Sequence, residues 1–215
     1  LDQLRSCISR QTSPIWEDRS TQKEADYLTE KFKDKGGIAG ITGNRAELRF
    51  PAVQIMKWAK NNRVEYENTQ SILILSAFLT SILAGTIAPV DTGDGWGTNL
   101  NTLDINNPGW DIEAIKAVDS YIPSDQPVST KIGRITHYDQ YISKINPYFS
   151  KKYGLNPDTV VLAGTGDNPA TLLGCGGSIV ISLGSSYTIN GILENIVPSE
   201  NDEYNIFGYK KGSAM

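Results

Sequence analysis

The opening hydrophobic positions alternate with polar ones at helical spacing. In "STQKEADYLTEKFK", Ala25, Leu28 and Phe32 recur on one face, and Thr21 and Glu24 have the spacing of a capping box that would satisfy free amides at the helix start. A glycine-rich loop, "KDKGGIAGITGNRAELRF", separates this helix from a second, "PAVQIMKWAKNN". There Pro51 suits the first turn, and Val53, Ile55, Met56 and Ala59 supply the apolar face. Residues 71–85, "SILILSAFLTSILAG", predict a third, buried helix ending near Gly85. This run is interrupted by Ser71, Ser76, Thr80 and Ser81 and falls short of the roughly 20 apolar residues of a membrane span.

The pattern then changes. "GTIAPVDTGDGWGTNLNTLDINNPGWD" predicts a short extended piece and a glycine-rich loop, in which Asp94 takes a structural hydrogen-bonding role. "DIEAIKAVDSYI" predicts a fourth helix, and a fifth is expected from Tyr138 to Tyr153, disturbed by Pro147. "DTVVLAG" has the continuous apolar character of a buried strand, "NPATLLG" begins a short helix, and "GSIVISLGSSYTING" predicts two strands joined at "LGSS". Helices first, then strand, helix and hairpin, predict an α/β protein with the start of a β-rich unit near residue 175. The last residues, "YNIFGYKKGSAM", have the pattern of a further hairpin, and neither end reads as a domain boundary, so an internal piece of a longer protein is expected.

Composition adds mainly exclusions. A formal net charge of -4 over 215 residues, without a dense basic stripe, argues against nucleic acid as a partner. Cys7 and Cys175 stand too far apart for a metal motif or a disulfide framework. No N-x-S/T acceptor and no signal-peptide pattern are present, so a reducing cytoplasm is the expected setting and no membrane is expected. His137 is the sole histidine, expected on a helix or loop surface. "DTGDGWGTN" fails as a calcium loop because Gly93 and Gly95 fall where ligands should stand.

Candidate chemistry centres on "VVLAGTGDNPATLLG". Asn168 as N-cap and Pro169 as first helical residue would explain this turn structurally, with Gly164 and Gly166 making it tight. Capping does not require a carboxylate one residue earlier. Asp167 follows an apolar strand, and ligands of open α/β sheets bind outside the carboxyl ends of strands. The same turn matches only the beginning of the dinucleotide fingerprint, since Pro169 replaces its third glycine. Downstream, Gly184, Ser185 and Ser186 could form a plain hairpin turn or aim amides and hydroxyls at an anion. A base and a phosphate-holding turn are together what phosphoryl transfer needs, and no P-loop sequence occurs. Arg45 and Arg49 are either solvated or form a guanidinium fork for sugar hydroxyls.

Taken in order, "SPIWEDRST", "ITGNRAELRF", "PAVQIMKWAKNN", "ILILSAFLTSILAG", "PVDTGDGWGTNL", "KKYGL", "GTGDNPATLLG" and "VISLGSSYT" resemble the FGGY family of carbohydrate kinases, most closely its xylulokinase branch. Gln54, where many members carry Lys, favours that branch. The resemblance implies a partial actin-like, RNase H-like ATPase fold. Residues 1–174 would be the later part of the N-terminal kinase domain and residues 175–215 the incomplete beginning of the C-terminal one. It implies ATP-dependent, Mg2+-assisted phosphorylation of D-xylulose at its terminal hydroxyl, with Asp167 as the catalytic base. Asn168 and Arg49 would hold the sugar, and Gly184, Ser185 and Ser186 the phosphates. The implied partners are the sugar and ATP, with a homodimer as the assembly to test. The first phosphate-binding hairpin, the sugar-binding residues after it and the adenine-binding part of the second domain are missing from the pattern, so these residues alone are expected not to turn over. Ser185 stands where Thr is usual, and Glu17 where a neutral residue is common. A kinase for another ketose or polyol, and a non-catalytic homologue that binds sugar or a partner, are the alternatives.

Overall fold

The computed structural model describes residues 5–184, 187–198, 203–210 and 212–215. Besides the single turns Lys33–Lys35, Ala39–Thr42 and Val128–Thr130, its elements are α1 (Gln22–Lys31), α2 (Pro51–Asn61), α3 (Arg63–Glu67), α4 (Leu75–Ala84), β1 (Val90–Asp91), α5 (Thr92–Trp96), α6 (Ile112–Tyr121), β2 (Ile135–Thr136), β3 (Tyr141–Lys144), α7 (Pro147–Tyr153), β4 (Val160–Leu162), α8 (Asp167–Cys175), β5 (Ile179–Leu183) and β6 (Tyr187–Gly191). Among the described residues the strands form three pairs. β1 and β2 run parallel, with Val90 opposite Ile135 and Asp91 opposite Thr136. β3 pairs antiparallel with β4, and β5 with β6.

The main core lies among the helices. The predicted face of α2 is buried at Val53, Ile55, Met56 and Ala59, where it meets Leu28 of α1, Tyr66 of α3 and Ala114 and Val118 of α6. Trp58 sets its ring edge-on to Tyr66, with centroids 5.9 Å apart. Pro51 occupies the first turn, where a missing N–H costs nothing.

Several local expectations are corrected. Thr21 precedes α1, but its hydroxyl donates to the Leu48 carbonyl instead of capping the helix. Glu24 accepts a 2.7 Å hydrogen bond from the Tyr121 hydroxyl, so tertiary partners have replaced the capping box. The fifth predicted helix is instead a strand, β3, followed by α7. Pro147 is the first residue of α7, and the Asn146 side chain caps it by accepting from the Tyr148 amide at 2.9 Å. The apolar run 71–85 is helical only from Leu75 and buries Ala77 and Thr80, while Leu75 and Leu79 are 70% and 51% exposed. No helix among the described residues is long and apolar enough to cross a membrane. β4 is also one-sided: Val161 is buried, and Val160 and Leu162 are exposed. His137 is half-buried in the link between β2 and β3, with Nδ1 shielded and lacking a hydrogen-bond partner among the described residues.

Two of the hairpins follow expectation. β5 and β6 pair from Ile179–Gly191 to Leu183–Tyr187. Near the last residues, Phe207 and Met215 exchange both backbone hydrogen bonds.

The two helical faces predict opposite responses. Met56→Ala should cost about 2–5 kcal/mol by opening a cavity in a filled core. Leu79→Ala, on an outward face, should stay within about 1 kcal/mol. Urea unfolding of this chain and the two variants, followed by circular dichroism, measures both.

Candidate active site

A buried carboxylate organises the end of β1. Asp91 is 1% exposed and caps α5, accepting from the Gly93 and Asp94 amides at 3.0 Å each. The Thr165 side chain adds a third hydrogen bond from the turn that follows β4. Burial pushes the Asp91 carboxyl up to about 6; its three hydrogen bonds oppose the rise, and the neighbouring Asp94 charge adds to it. The glycine-rich stretch predicted as a loop therefore closes into a short capped helix.

α5 lies against the turn carrying Asp167. The Ser76 hydroxyl, on α4, donates to Asp94 Oδ2. Asp94 Oδ1 sits where Gly166 has no side chain: a Cβ there would stand 2.4 Å from it. A Cβ on Gly93 would likewise stand 2.5 Å from Thr165 Oγ1. These glycines are required by close approach between α5 and the turn. On the other side of the turn, the Gly164 amide donates to Thr80 Oγ1 at 3.1 Å. Burial raises the Asp94 pKa, the Ser76 hydrogen bond opposes this, and the nearby Asp167 charge raises it further.

Asp167 itself is exposed at the first position of α8, and Asn168 is half-buried beside it. The cap of this helix is Gly166, in extended conformation, so Asn168 is not the N-cap and Pro169 is not the first helical residue. Asp167 Oδ1 accepts from the Asn168 amide at 2.8 Å. Asp167 thus stands just beyond the end of β4, at the positive end of a nine-residue helix.

The arginines occupy a different place. Arg45 donates to Glu47 Oε1 at 3.0 and 2.7 Å through Nε and one terminal nitrogen. Arg49 Nε lies 3.7 Å from Glu47 Oε2. Both arginines, with Arg19, Gln22 and Glu47, border a cavity of about 260 Å³ that Asp167 and Asn168 do not line. α5 links the two places. The Asn44 side chain donates to the Trp96 carbonyl at 2.9 Å and to the Ile206 carbonyl at 2.8 Å, and accepts from the Ile206 amide at 2.7 Å. Asn99 donates to the carbonyls of Asn44 and Arg45.

Gly184 is exposed at the end of β5. Ser185 and Ser186 lie outside the described residues. Among the described residues, no three His, Cys, Asp or Glu side chains converge as a metal-ligand set. Sequence reasoning gave Asp94 its hydrogen-bonding role but missed Asp91 and Ser76. The signal for Asp91 was the one used for Asp167, a carboxylate directly after an extended apolar segment. Ser76 carried none, being one hydroxyl in an apolar run.

A model of the N-terminal domain of the FGGY family of carbohydrate kinases matches residues 3–174. The chain belongs to that family. It is 36% identical over 212 residues to the xylulose kinase of Schizosaccharomyces pombe, covering 96% of this chain and 37% of that protein. It is 34% identical over 203 residues to the xylulose kinase of Saccharomyces cerevisiae, covering 93% and 33%. The chain thus spans about a third of the length of these curated relatives. Its fold is that of solved sugar kinases, the partial actin-like α/β fold expected from the sequence. A xylulose kinase from Bifidobacterium adolescentis superposes with a TM-score of 0.76 at 16% identity, covering 93% of this chain and 46% of that one. The Brucella ovis enzyme, described as a xyloylose kinase, gives 0.75 at 20% identity, covering 91% and 38%.

The raised Asp91 carboxyl has a consequence for stability. The folded state holds its proton more tightly than the unfolded chain does, so its contribution is fully present below pH about 4 and is lost as pH rises through about 6. Asp91→Asn should remove that part of the slope. Thermal unfolding of both proteins from pH 4 to 7 should give a melting-temperature difference that shifts in the variant's favour as pH rises.

Proposed function

We propose that the polypeptide containing these residues is an ATP-dependent kinase that phosphorylates D-xylulose at its terminal hydroxyl, with Asp167 as the base. The observation that carries this reading is the placement of Asp167. Its carboxylate is exposed just past the end of β4, on a turn held from two sides by α4 and α5. The similarity to xylulose kinases over nearly the whole chain supports the choice of sugar.

The chemistry follows from the groups available. The sugar oxygen attacks the γ-phosphorus, the new P–O bond forms, and the bond to the β-phosphate oxygen breaks as ADP leaves. Asp167 takes the proton released from the sugar hydroxyl and orients that hydroxyl beforehand. Asn168 and Arg49 hold the sugar. A guanidinium offers several donors in a fixed plane, which suits neighbouring hydroxyls. Arg49 borders a cavity that Asp167 does not line, so this assignment requires the sugar to reach both groups. Gly184, Ser185 and Ser186 contact the nucleotide phosphates. Mg2+ enters with ATP as the metal–nucleotide substrate. Residues from 175 onward begin the second kinase domain, and these 215 residues alone do not turn over, because the remaining phosphate and adenine contacts come from outside them.

ADP release coupled to NADH oxidation tests the reading, using the complete open reading frame with D-xylulose, D-ribulose, L-ribulose, glycerol and gluconate. Turnover should be strongest with D-xylulose. Asp167→Ala should lower kcat by roughly 100- to 10,000-fold. Arg49→Ala should act mainly by raising the KM for sugar. Preference for another ketose or a polyol would keep the base and change the substrate. A folded protein inert toward all five would favour a sugar-binding or partner-binding role.

A further inference from the structure

We propose that Ser76 and Asp94 are positioning residues that fix the turn carrying Asp167 and turn its carboxylate outward toward the substrate. The inference rests on the reading of Asp167 as the base.

Three observations carry it. First, Asp94 is held from the α4 side: the Ser76 hydroxyl donates to Oδ2, which fixes the rotation of the carboxylate. Second, the fixed carboxylate is itself a stop for the turn. Oδ1 is packed so closely on Gly166 that no Cβ fits between them, so the turn cannot rock toward α5. The same serine meets the turn directly: a Cβ on Gly164 would lie 3.2 Å from the Ser76 carbonyl oxygen and 3.4 Å from Ser76 Cβ. Ser76 and Asp94 therefore touch both glycines that flank Thr165.

Third, the two acids are sorted by exposure. Asp94 is partly buried and faces inward to a hydroxyl, while Asp167 is exposed. Their charges interact, as the influence of Asp167 on Asp94 shows. Like charges repel, so an inward carboxylate fixed by Ser76 disfavours conformations in which Asp167 folds back toward α5. The outward conformation is the one a sugar hydroxyl can reach. In this role Ser76 and Asp94 act through the geometry of Asp167 and not on the reacting atoms themselves. Displacing a reacting group by about 1 Å can cost on the order of 100-fold in rate.

The test uses the complete open reading frame and compares Ser76→Ala, Ser76→Thr, Asp94→Asn, the double variant Ser76→Ala/Asp94→Asn and Asp167→Asn. kcat is normalised to the folded fraction found by circular dichroism. Ser76→Ala and Asp94→Asn should each lower kcat roughly 10- to 100-fold. KM for ATP should stay within about twofold, because the role assigned to this pair is to hold the turn and not the nucleotide. Ser76→Thr, which keeps the hydroxyl, should recover most of the rate. The double variant should lose no more than the worse single one, because the two residues act as a unit.

Wild-type kcat in both single variants, with Asp167→Asn inactive, overturns the positioning role and leaves the base in place. Equal loss in Ser76→Ala and Ser76→Thr also overturns it, since the hydroxyl would then be irrelevant. Wild-type turnover in Asp167→Asn removes the base reading itself, and a wild-type protein inert toward every sugar removes both. If Asp94→Asn fails to fold, the Ser76 pair decides alone, because alanine is well tolerated within a helix.

Discussion

The structure around the candidate site depends on one buried carboxylate. Asp91 gives up solvation and in return takes hydrogen bonds from two amides of α5 and from Thr165. The amides make five residues into a helix that would not hold alone, since short helices are marginal without tertiary support. The Thr165 bond carries the constraint across to the turn after β4. A carboxylate so buried would be costly without partners. With them, it brings the ends of two strands from separate pairs to one place. Asp94, Gly166 and Asp167 are set by that meeting, and Asn44, bonded to the Trp96 carbonyl, extends it to the arginine loop.

Much of this was legible from residues in order. The face of α2, the helix α6 and the β5–β6 hairpin follow directly from periodicity and turn residues. The wrong local expectations share a cause. Thr21 and Glu24 fit a capping box, yet each found a better partner far along the chain, in Leu48 and Tyr121. Spacing reports what neighbours can do and carries no information about distant competitors. Pro147 reads in the sequence as a break in a helix yet starts one, because the strand before it is too short to show alternation. At the site, Asp167 was readable from its position after an apolar strand. Its surroundings were not, because Ser76, Asp91, Asp94 and Thr165 come from three separate stretches and meet only when the elements pack.

Burial is unevenly distributed. α1, α2 and α6 share a filled core, whereas α4, β4 and the β5–β6 hairpin cover one face and leave apolar side chains on the other. Tyr187 and Ile189 are 80% and 77% exposed. Side chains of that size and number contribute little to holding this chain together. Stability resides in the helical part, and the site lies where that part meets the open sheet elements.

The pairing of Asn44 with Ile206 bears on the order of events as the chain is made. The side-chain amide of Asn44 exchanges two hydrogen bonds with the backbone of a residue 162 positions later, as a neighbouring strand would. At synthesis rates of about 5–20 residues per second, roughly 10–30 s separate the emergence of the two partners. During that interval the helical core has everything it needs to form, while the loop bearing Arg45 and Arg49 lacks the contact that completes its anchoring. Within these 215 residues, the arginine loop is therefore late to acquire its final shape.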